Sequence, residues 1–391
     1  MTAQGDEGFG LYVHWPFCLS KCPYCDFNSH VAERVDQTAW RDALLTELKH
    51  YAARTPDKIL TSIFFGGGTP SLMDPATTAD IIASARQHWR TANDLEITLE
   101  ANPGTVDADR FKAIRDAGVD RLSMGVQSLN EADLKFLGRR HSVDEARKAW
   151  RAAAKIFPRV SFDLIYARPG QTADAWRAEL TEALGEVADR GITHLSLYQL
   201  TMEPGTAMFD AHARGDFILP DEDNAVSLFE LTQTMCAEAG FPAYEISNHA
   251  REGATCRHNL TYWRGGDYVG VGPGAHGRIT LDGTARATRQ IKAPAIWLRR
   301  VSETGHGTQE EELLSPDSRA QELVMVGLRL AEGLDKARFA RLAGKPLGDV
   351  IGPDAVTTLA ADGYLTDNPA RLTATPKGRL ALNAVLRELL I

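Results

Sequence analysis

The chain has 391 residues, with 43 Lys+Arg against 52 Asp+Glu for a net charge of −9, and 43% of it is apolar. This is globular composition with enough chain for one large domain and one small one, and it excludes a disordered polymer, a collagen-like repeat and a disulfide scaffold. The acidic balance argues against a broad basic face that grips nucleic acid through its phosphates, so no nucleic-acid partner is expected. Of the five cysteines, Cys18, Cys22 and Cys25 fall within eight residues. Such a triplet suits thiolates that hold metal in a reducing compartment. No run approaches the ~18 apolar residues of a membrane span. Residues 1–10 are acidic and lack the basic and apolar stretches of a secretory signal, so a cytoplasmic protein is expected.

Apolar runs at 11–14, 59–65, 95–101, 121–126, 160–166 and 194–200 read as strands. Helical periodicity follows each of them, at 38–54, 77–90, 106–117, 130–138 with 142–157, 172–187 and 221–239. Asp107, Asn130, Ser142 and Thr172 stand where N-caps belong, and Gly118 and Gly240 follow helix ends. Six β-α units predict an α/β fold with a parallel sheet. They do not complete an eight-stranded barrel, so a doubly wound sheet and an open, partial barrel both satisfy the pattern. In either, ligands gather at the C-terminal ends of the strands. Cys18, the Gly-Gly-Gly-Thr-Pro run at 66–70, Glu100, Gln127, Asp163 and Tyr198 all sit there.

Residues 245–278, rich in Gly, His and aromatics, read as a long functional loop or an irregular hairpin rather than a helix. Helical patterns then recur at 318–331, 335–343, 347–351 and 353–361, before a small hairpin (364–366 and 371–373) and a last helix. Helices followed by a hairpin suggest a winged-helix-like module. Residues 306–391 carry 10 Lys+Arg and 12 Asp+Glu, which favours packing or partner docking over DNA. The expected division is a barrel at 1–245, a connecting region at 246–310 and a C-terminal helical module at 311–391.

The spacing C-x3-C-x2-C lets one loop wrap three sulfurs around a compact inorganic cluster. A zinc knuckle would need a fourth ligand such as His14 or His30, whereas an iron–sulfur cube accepts three cysteines and leaves one iron open. The run YVHWPFCLSKCPYC at 12–25 resembles the cluster loop of the radical S-adenosylmethionine (SAM) superfamily, whose hallmark is C-x3-C-x-aromatic-C. The resemblance implies a partial (β/α)6, TIM-like barrel. It also implies a [4Fe-4S] cluster on Cys18, Cys22 and Cys25, with SAM chelated at the open iron and the radical chemistry carried by the cofactor. Within the branch that contains oxygen-independent coproporphyrinogen oxidase, it implies SAM contacts from Tyr12, Tyr24, Gly67, Gly68, Thr69, Glu100, Gln127, Arg139 and Asp163. A carboxylate there can accept from an ammonium or ribose hydroxyls, and Arg139 can hold a carboxylate.

Two groups in that branch compete: the oxidative decarboxylase, coproporphyrinogen III dehydrogenase, and the heme chaperones. The decarboxylase motif has a fourth cysteine where this chain has Phe27, and a longer segment before the motif than the 17 residues preceding Cys18. The run His258-Asn259-Leu260-Thr261-Tyr262-Trp263 matches the H-N-x-x-Y-W heme motif of the chaperones. The resemblance therefore implies heme as cargo, with His258 on the iron and Asn259, Tyr262 and Trp263 around it. Cys256 is a second candidate thiolate or vinyl-reactive group, with a buried, inert thiol at least an equal reading, His249 and His276 are reserve histidines, and Cys236 reads as core. An acceptor hemoprotein is implied, with a membrane-associated respiratory enzyme as one candidate. A homodimer is allowed for, as is a place at the inner membrane face. Two departures stand out: Trp15 replaces the usual Ile, and Ala167-Arg168 replaces Gly-Leu, which brings Arg168 into question as a neighbour of the adenosine.

Overall fold

A computed structural model describes residues 5–190 and 192–390. Six strands run parallel in chain order: β1 (Phe9–Trp15), β2 (Ile59–Gly67), β3 (Arg90–Ala101), β4 (Arg121–Gln127), β5 (Arg159–Tyr166) and β6 (His194–Gln199). Between them lie α1 (Gln37–Arg54), α2 (Pro75–His88), α3 (Ala108–Asp116), α4 (Glu131–Phe136), α5 (Val143–Ile156) and α6 (Ala173–Arg190). All six expected β-α units are present, and the architecture is the open (β/α)6 barrel rather than the doubly wound sheet. Side chains of Asp107, Asn130 and Ser142 accept from helix N-terminal amides as expected, Ser142 within a capping box.

Alternation along each strand separates two environments. Ile63, Phe65, Ile97, Leu99, Leu122, Met124, Phe162 and Leu164 pack outward in the apolar core against the helices. The other residues, Ser62, Thr98, Glu100, Arg121, Ser123, Ser161, Asp163 and Ser196, are polar and face the barrel interior. Parallel strands buried on both faces are ordinarily apolar throughout. Here the polar half of the pattern marks an interior built to hold something other than hydrocarbon.

The segment 246–310, expected as a connector with a loop at its start, instead extends the barrel sheet at both edges. Its strand β7 (Asn248–Ala250) pairs with β6, and β8 (Asp267–Val271) adds in parallel to β1. The antiparallel strands β9 (His276–Leu281), β10 (Thr284–Gln290) and β11 (Thr308–Leu313) complete an 11-stranded sheet of order β11-β10-β9-β8-β1-β2-β3-β4-β5-β6-β7. Three helices follow β6: α7 (Ala207–Ala213), α8 (Glu222–Glu238), which is the helix expected at 221–239, and α9 (Arg257–Trp263), which carries the H-N-x-x-Y-W run in a stretch where no helix was expected. A fourth, α10 (Pro294–Thr304), packs against α1 through the stacked rings of Trp297 and Trp40. Trp15 is absorbed by the same aromatic cluster, edge-on to Phe17 and Trp40.

The C-terminal module has its own core, with Leu323, Phe339, Leu359, Leu372 and Val385 at its centre. Its helices α11 (Pro316–Gly327), α12 (Lys336–Ala343) and α13 (Pro353–Ala361) surround a three-stranded sheet made by Leu334–Asp335, Arg371–Ala374 and Leu365–Asp367. Arg338 and Arg341 tie this module to Asp6 and Glu7 at the entrance to β1. Among the described residues no helix is long and apolar enough to cross a membrane.

Candidate cluster and cofactor site

A cavity of about 140 Å³ opens at the C-terminal ends of the strands. Cys18, Cys22 and Cys25 line one side of it. Gly67, Gly68 and Thr69 come from the end of β2, Glu100 from β3, Gln127 from β4, Arg139 from the turn after α4, and Asp163 from β5. Tyr24 lines it too. Every residue expected around SAM is therefore gathered here except Tyr12, whose ring lies deeper against Phe64 and whose hydroxyl meets His14 Nδ1 at 3.1 Å. Asn102, just past Glu100 at the end of β3, and Ser123 also line it, and Ser123 was not singled out from the sequence. Ser123 is visible in retrospect from strand alternation alone, since it shares the inward face with Gly125.

Each thiol has its own polar neighbour. Thr69 Oγ1 donates to Cys18 Sγ at 3.3 Å, Arg139 Nη1 donates to Cys22 Sγ at 3.5 Å, and Ser29 Oγ lies 3.8 Å from Cys25 Sγ. Donors to all three sulfurs favour thiolate and are the lever by which a protein tunes an iron–sulfur centre. Burial, then the neighbouring thiols and, for Cys25, Asp26, pushes the Cys18 and Cys25 thiols up, against which Thr69 and Ser29 act. Among the described residues no three His, Cys, Asp or Glu side chains converge on a single-ion site. The three half-buried thiols, spread along a shared cavity, fit a cluster of several irons.

The glycines are required by geometry. Gly67 has φ +111°, and a Cβ on Gly68 would stand 2.8 Å from the Phe17 carbonyl oxygen, in the loop that leads into Cys18. Gly68 N–H donates to the Trp15 carbonyl at 2.7 Å and Thr69 N–H to that of Phe17 at 2.9 Å, so the Gly-rich turn and the cysteine loop are laced together. Gln127 has φ +75°, a left-handed conformation for a non-glycine residue, at an irregularity in the β4–β5 register. Strain of this kind at a strand end turns a side chain toward a site.

Glu100 and Asp163 face each other across the cavity floor. Burial, reinforced by Asp163, pushes Glu100 up to about 8 despite the Gly67 N–H. Burial likewise raises Asp163 to about 6, although Ser196, Arg121, Ser123 and Arg139 oppose it. Two carboxyl groups held reluctantly ionised are an acceptor pair for a cationic or hydroxyl-bearing ligand.

Other residues singled out from the sequence lie outside this cavity. His258 is 1% exposed inside the barrel, with Nδ1 2.8 Å from Ser62 Oγ and Nε2 2.7 Å from the Tyr262 hydroxyl. Burial, then Arg121, depresses its pKa to about 3, so it is a neutral imidazole with both nitrogens engaged. Asn259 donates to the Tyr244 hydroxyl, and Trp263 lies beneath the Arg329 guanidinium, toward the C-terminal module. The motif helix α9 thus plugs the barrel, anchored by Glu96, which accepts from the Arg257 amide at 2.9 Å. Cys256, at the start of α9, is fully buried and pushed up to about 12 by that burial, so it is an inert thiol. Arg168 turns away from the cavity: it is 2% exposed and paired with Glu179 and, at 3.0 Å, with Asp133. Ala167 before it has φ +57°, the backbone state for which a glycine is the unstrained choice.

Barrel, thiol triplet, glycine turn and facing carboxyl groups define the class: a radical SAM protein, whose members hold a [4Fe-4S] cluster and SAM. The Radical SAM superfamily profile matches residues 12–183, and the HemN C-terminal domain profile matches residues 314–381. The chain is 37% identical to the heme chaperone HemW of Escherichia coli (strain K12), over 96% of each chain. It is 38% identical to the mouse (Mus musculus) radical S-adenosyl methionine domain-containing protein 1, mitochondrial, over 97% of this chain and 87% of that one. Coproporphyrinogen III oxidase (HemN) from Escherichia coli superposes with a TM-score of 0.78 at 23% identity, covering 99% of this chain and 91% of that one, which shows a shared fold. The chain belongs to the HemW family of the radical SAM superfamily.

Proposed function

We propose that this protein is a heme chaperone: it binds heme and passes it to an acceptor hemoprotein, while holding a [4Fe-4S] cluster and SAM in the barrel. The observation that carries this reading is the likeness to HemW over nearly the whole of both chains. Phe27, 55% exposed at the cavity edge, supports it, because the decarboxylating branch has a cysteine at that position. Cys18, Cys22 and Cys25 would hold the cluster. When bound, the cluster supplies an electron donor to the sulfonium of SAM. Arg139 would pair with the SAM carboxylate, and Glu100 and Asp163 would accept from its ammonium or ribose hydroxyls. We place the protein in the cytoplasm, with a respiratory hemoprotein at the inner membrane face as the candidate acceptor.

Anaerobic reconstitution followed by parallel heme titration and product analysis tests this. Stoichiometric heme uptake with transfer to an apo-hemoprotein is the expected result. Conversion of coproporphyrinogen to protoporphyrinogen over many turnovers would overturn it in favour of the dehydrogenase.

A further inference from the structure

Cys25 differs from the other two thiols in what holds it. The arm that leads away from it, residues 26–29, returns to a two-residue ladder in which Phe17 and Cys18 pair with His30 and Val31. Asp26 and Phe27 on this arm are exposed. Cys25 Sγ accepts from the Phe27 backbone N–H and has Ser29 Oγ at 3.8 Å, while the Asp26 carboxylate acts on it in the opposite sense. Asn28 lies between the two donors, at the centre of a three-residue turn closed by Ser29 N–H on the Phe27 carbonyl at 2.7 Å.

We propose that Asn28 is a positioning residue of the cluster loop: it clamps the arm after Cys25 to the sheet extension, aims Phe27 N–H and Ser29 Oγ at the Cys25 sulfur, and so sets the reduction potential of the cluster. The inference rests on the reading of Cys18, Cys22 and Cys25 as cluster ligands. Asn28 Nδ2 donates to the Pro273 carbonyl at 2.8 Å and to the Lys292 carbonyl at 2.9 Å, and Oδ1 lies 3.2 Å from His30 Nε2. Two carbonyl acceptors on one side fix which end of the amide is the nitrogen. The backbone carbonyl of Asn28 accepts from His14 Nε2 at 2.9 Å, and His14 Nδ1 takes the Tyr12 hydroxyl at 3.1 Å. Main chain and side chain of this one residue are therefore both held.

The anchors come from parts of the chain remote from the loop. Pro273 follows β8, Lys292 follows β10, and His14 belongs to β1. Gly274, with φ +80°, lets the turn after β8 approach, since a Cβ there would stand 2.6 Å from the Asn28 amide nitrogen. Behind that turn the buried Glu47 of α1 accepts from Gly272 N–H at 2.7 Å and from Gly307 N–H at 2.6 Å, which holds the anchors themselves in place. His14 also fills the space beneath Gly67, where a Cβ would stand 2.7 Å from its ring, so the arm and the Gly-rich turn share one support. Donors to a cluster sulfur favour the more negatively charged, reduced state, and losing them lowers the potential. An asparagine suits the post because it offers two N–H groups to the two carbonyls and brings no charge near the cluster.

The test is a redox titration of the anaerobically reconstituted full chain, read by electron paramagnetic resonance of the reduced cluster. Asn28→Leu keeps size and charge but has no donor, and Asn28→Ala removes the tether without adding bulk. Both are expected to lower the potential by about 59 mV, a tenfold shift in the one-electron equilibrium. Ser29→Ala is expected to move it in the same direction, and the double variant Asn28→Leu, Ser29→Ala to titrate where Asn28→Leu alone does. Before reconstitution, hydrogen exchange at the Phe27 and Ser29 amides is expected to be about tenfold faster in both Asn28 variants. A wild-type potential in the Asn28 variants, with only the melting temperature lowered, would make Asn28 an ordinary structural tie. Additive shifts in the double variant, or unchanged exchange at both amides, would equally overturn the proposal. If wild type takes up no iron and sulfide, the ligand reading of the three cysteines fails, and this inference with it.

Discussion

The hydroxyl of Ser62 in β2 and Nδ1 of His258 in α9 lie 2.8 Å apart, across 196 residues of chain and out of contact with solvent. This pair, with Tyr262 on the other ring nitrogen, fixes the helix that closes the barrel interior. Removing the Ser62 hydroxyl leaves a buried ring nitrogen unsatisfied, which costs about 1–3 kcal/mol. Ser62→Ala is therefore expected to lower the free energy of unfolding, measured by denaturant titration, by that amount while leaving the hemin spectrum unchanged. A changed Soret band with unchanged stability would mean that His258 does reach the iron.

How much of this was legible beforehand follows from the kind of signal each element carries. The six barrel strands were readable because their outward faces are continuous runs of Ile, Leu, Phe and Val, and because Asp107, Asn130 and Ser142 punctuate the helices. The cavity was readable because a chemical spacing, C-x3-C-x2-C, and glycines at a strand end depend on local sequence. Beyond the irregular hairpin allowed for within 245–278, the strands β8–β11 were not readable as an extension of the sheet. They interleave Arg, Thr and Gly, as in the stretch from Thr284 to Gln290, and owe their place to docking onto the β1 edge, a tertiary fact. The burial of His258 was hidden for the same reason. A histidine–tyrosine pair four apart on a helix reads equally as a ligand set or as a plug, and only Ser62, far away in sequence, decides between them.

Arg168 and Glu179 give a second measurable consequence. Glu179 also accepts from Ser128 Oγ at 2.7 Å and from the Leu129 amide at 2.8 Å, so one carboxylate holds together the loop after β4, the end of β5 and helix α6. Glu179→Ala strands a buried guanidinium with Asp133 as its remaining carboxylate partner among the described residues, and breaking such a pair costs about 3–5 kcal/mol. The expected loss is at the lower end, because Asp133 persists. Denaturant unfolding measures it, and SAM affinity is expected to hold in the fraction that stays folded. A stability change under about 0.5 kcal/mol, the range of an ordinary surface substitution, would show that the triad is not the tie proposed.

Gly68 links packing to cluster content. The carbonyl groups of Pro16 and Phe17 that a Cβ would strike belong to backbone, which cannot swing aside as a flexible side chain can. Overpacking of this kind costs about 1–3 kcal/mol. The loop that must give way leads into Cys18. Gly68→Ala is expected to lower iron and sulfide content per chain after reconstitution more than it lowers thermal stability. Equal cluster loading in variant and wild type would sink the argument that this glycine sets the position of the cysteine loop.

The facing carboxyl groups Glu100 and Asp163 predict opposite pH trends for stability and for SAM binding. Both folded-state values, about 8 and about 6, lie above the ordinary 4.5 and 3.8 of Glu and Asp. Between those limits the folded chain holds more protons than the unfolded one. Their contribution to stability is therefore fully present below about pH 4 and is lost as pH rises toward 8. SAM brings an ammonium and a sulfonium to this floor, so ionising Glu100 favours the complex. SAM affinity, measured calorimetrically between pH 6 and pH 8, is expected to rise with pH in wild type. In Glu100→Gln, which keeps shape and cannot ionise, most of that rise should vanish and apo stability near pH 8 should exceed that of wild type. A pH profile for SAM that is the same in both proteins would remove Glu100 from the ligand-binding floor.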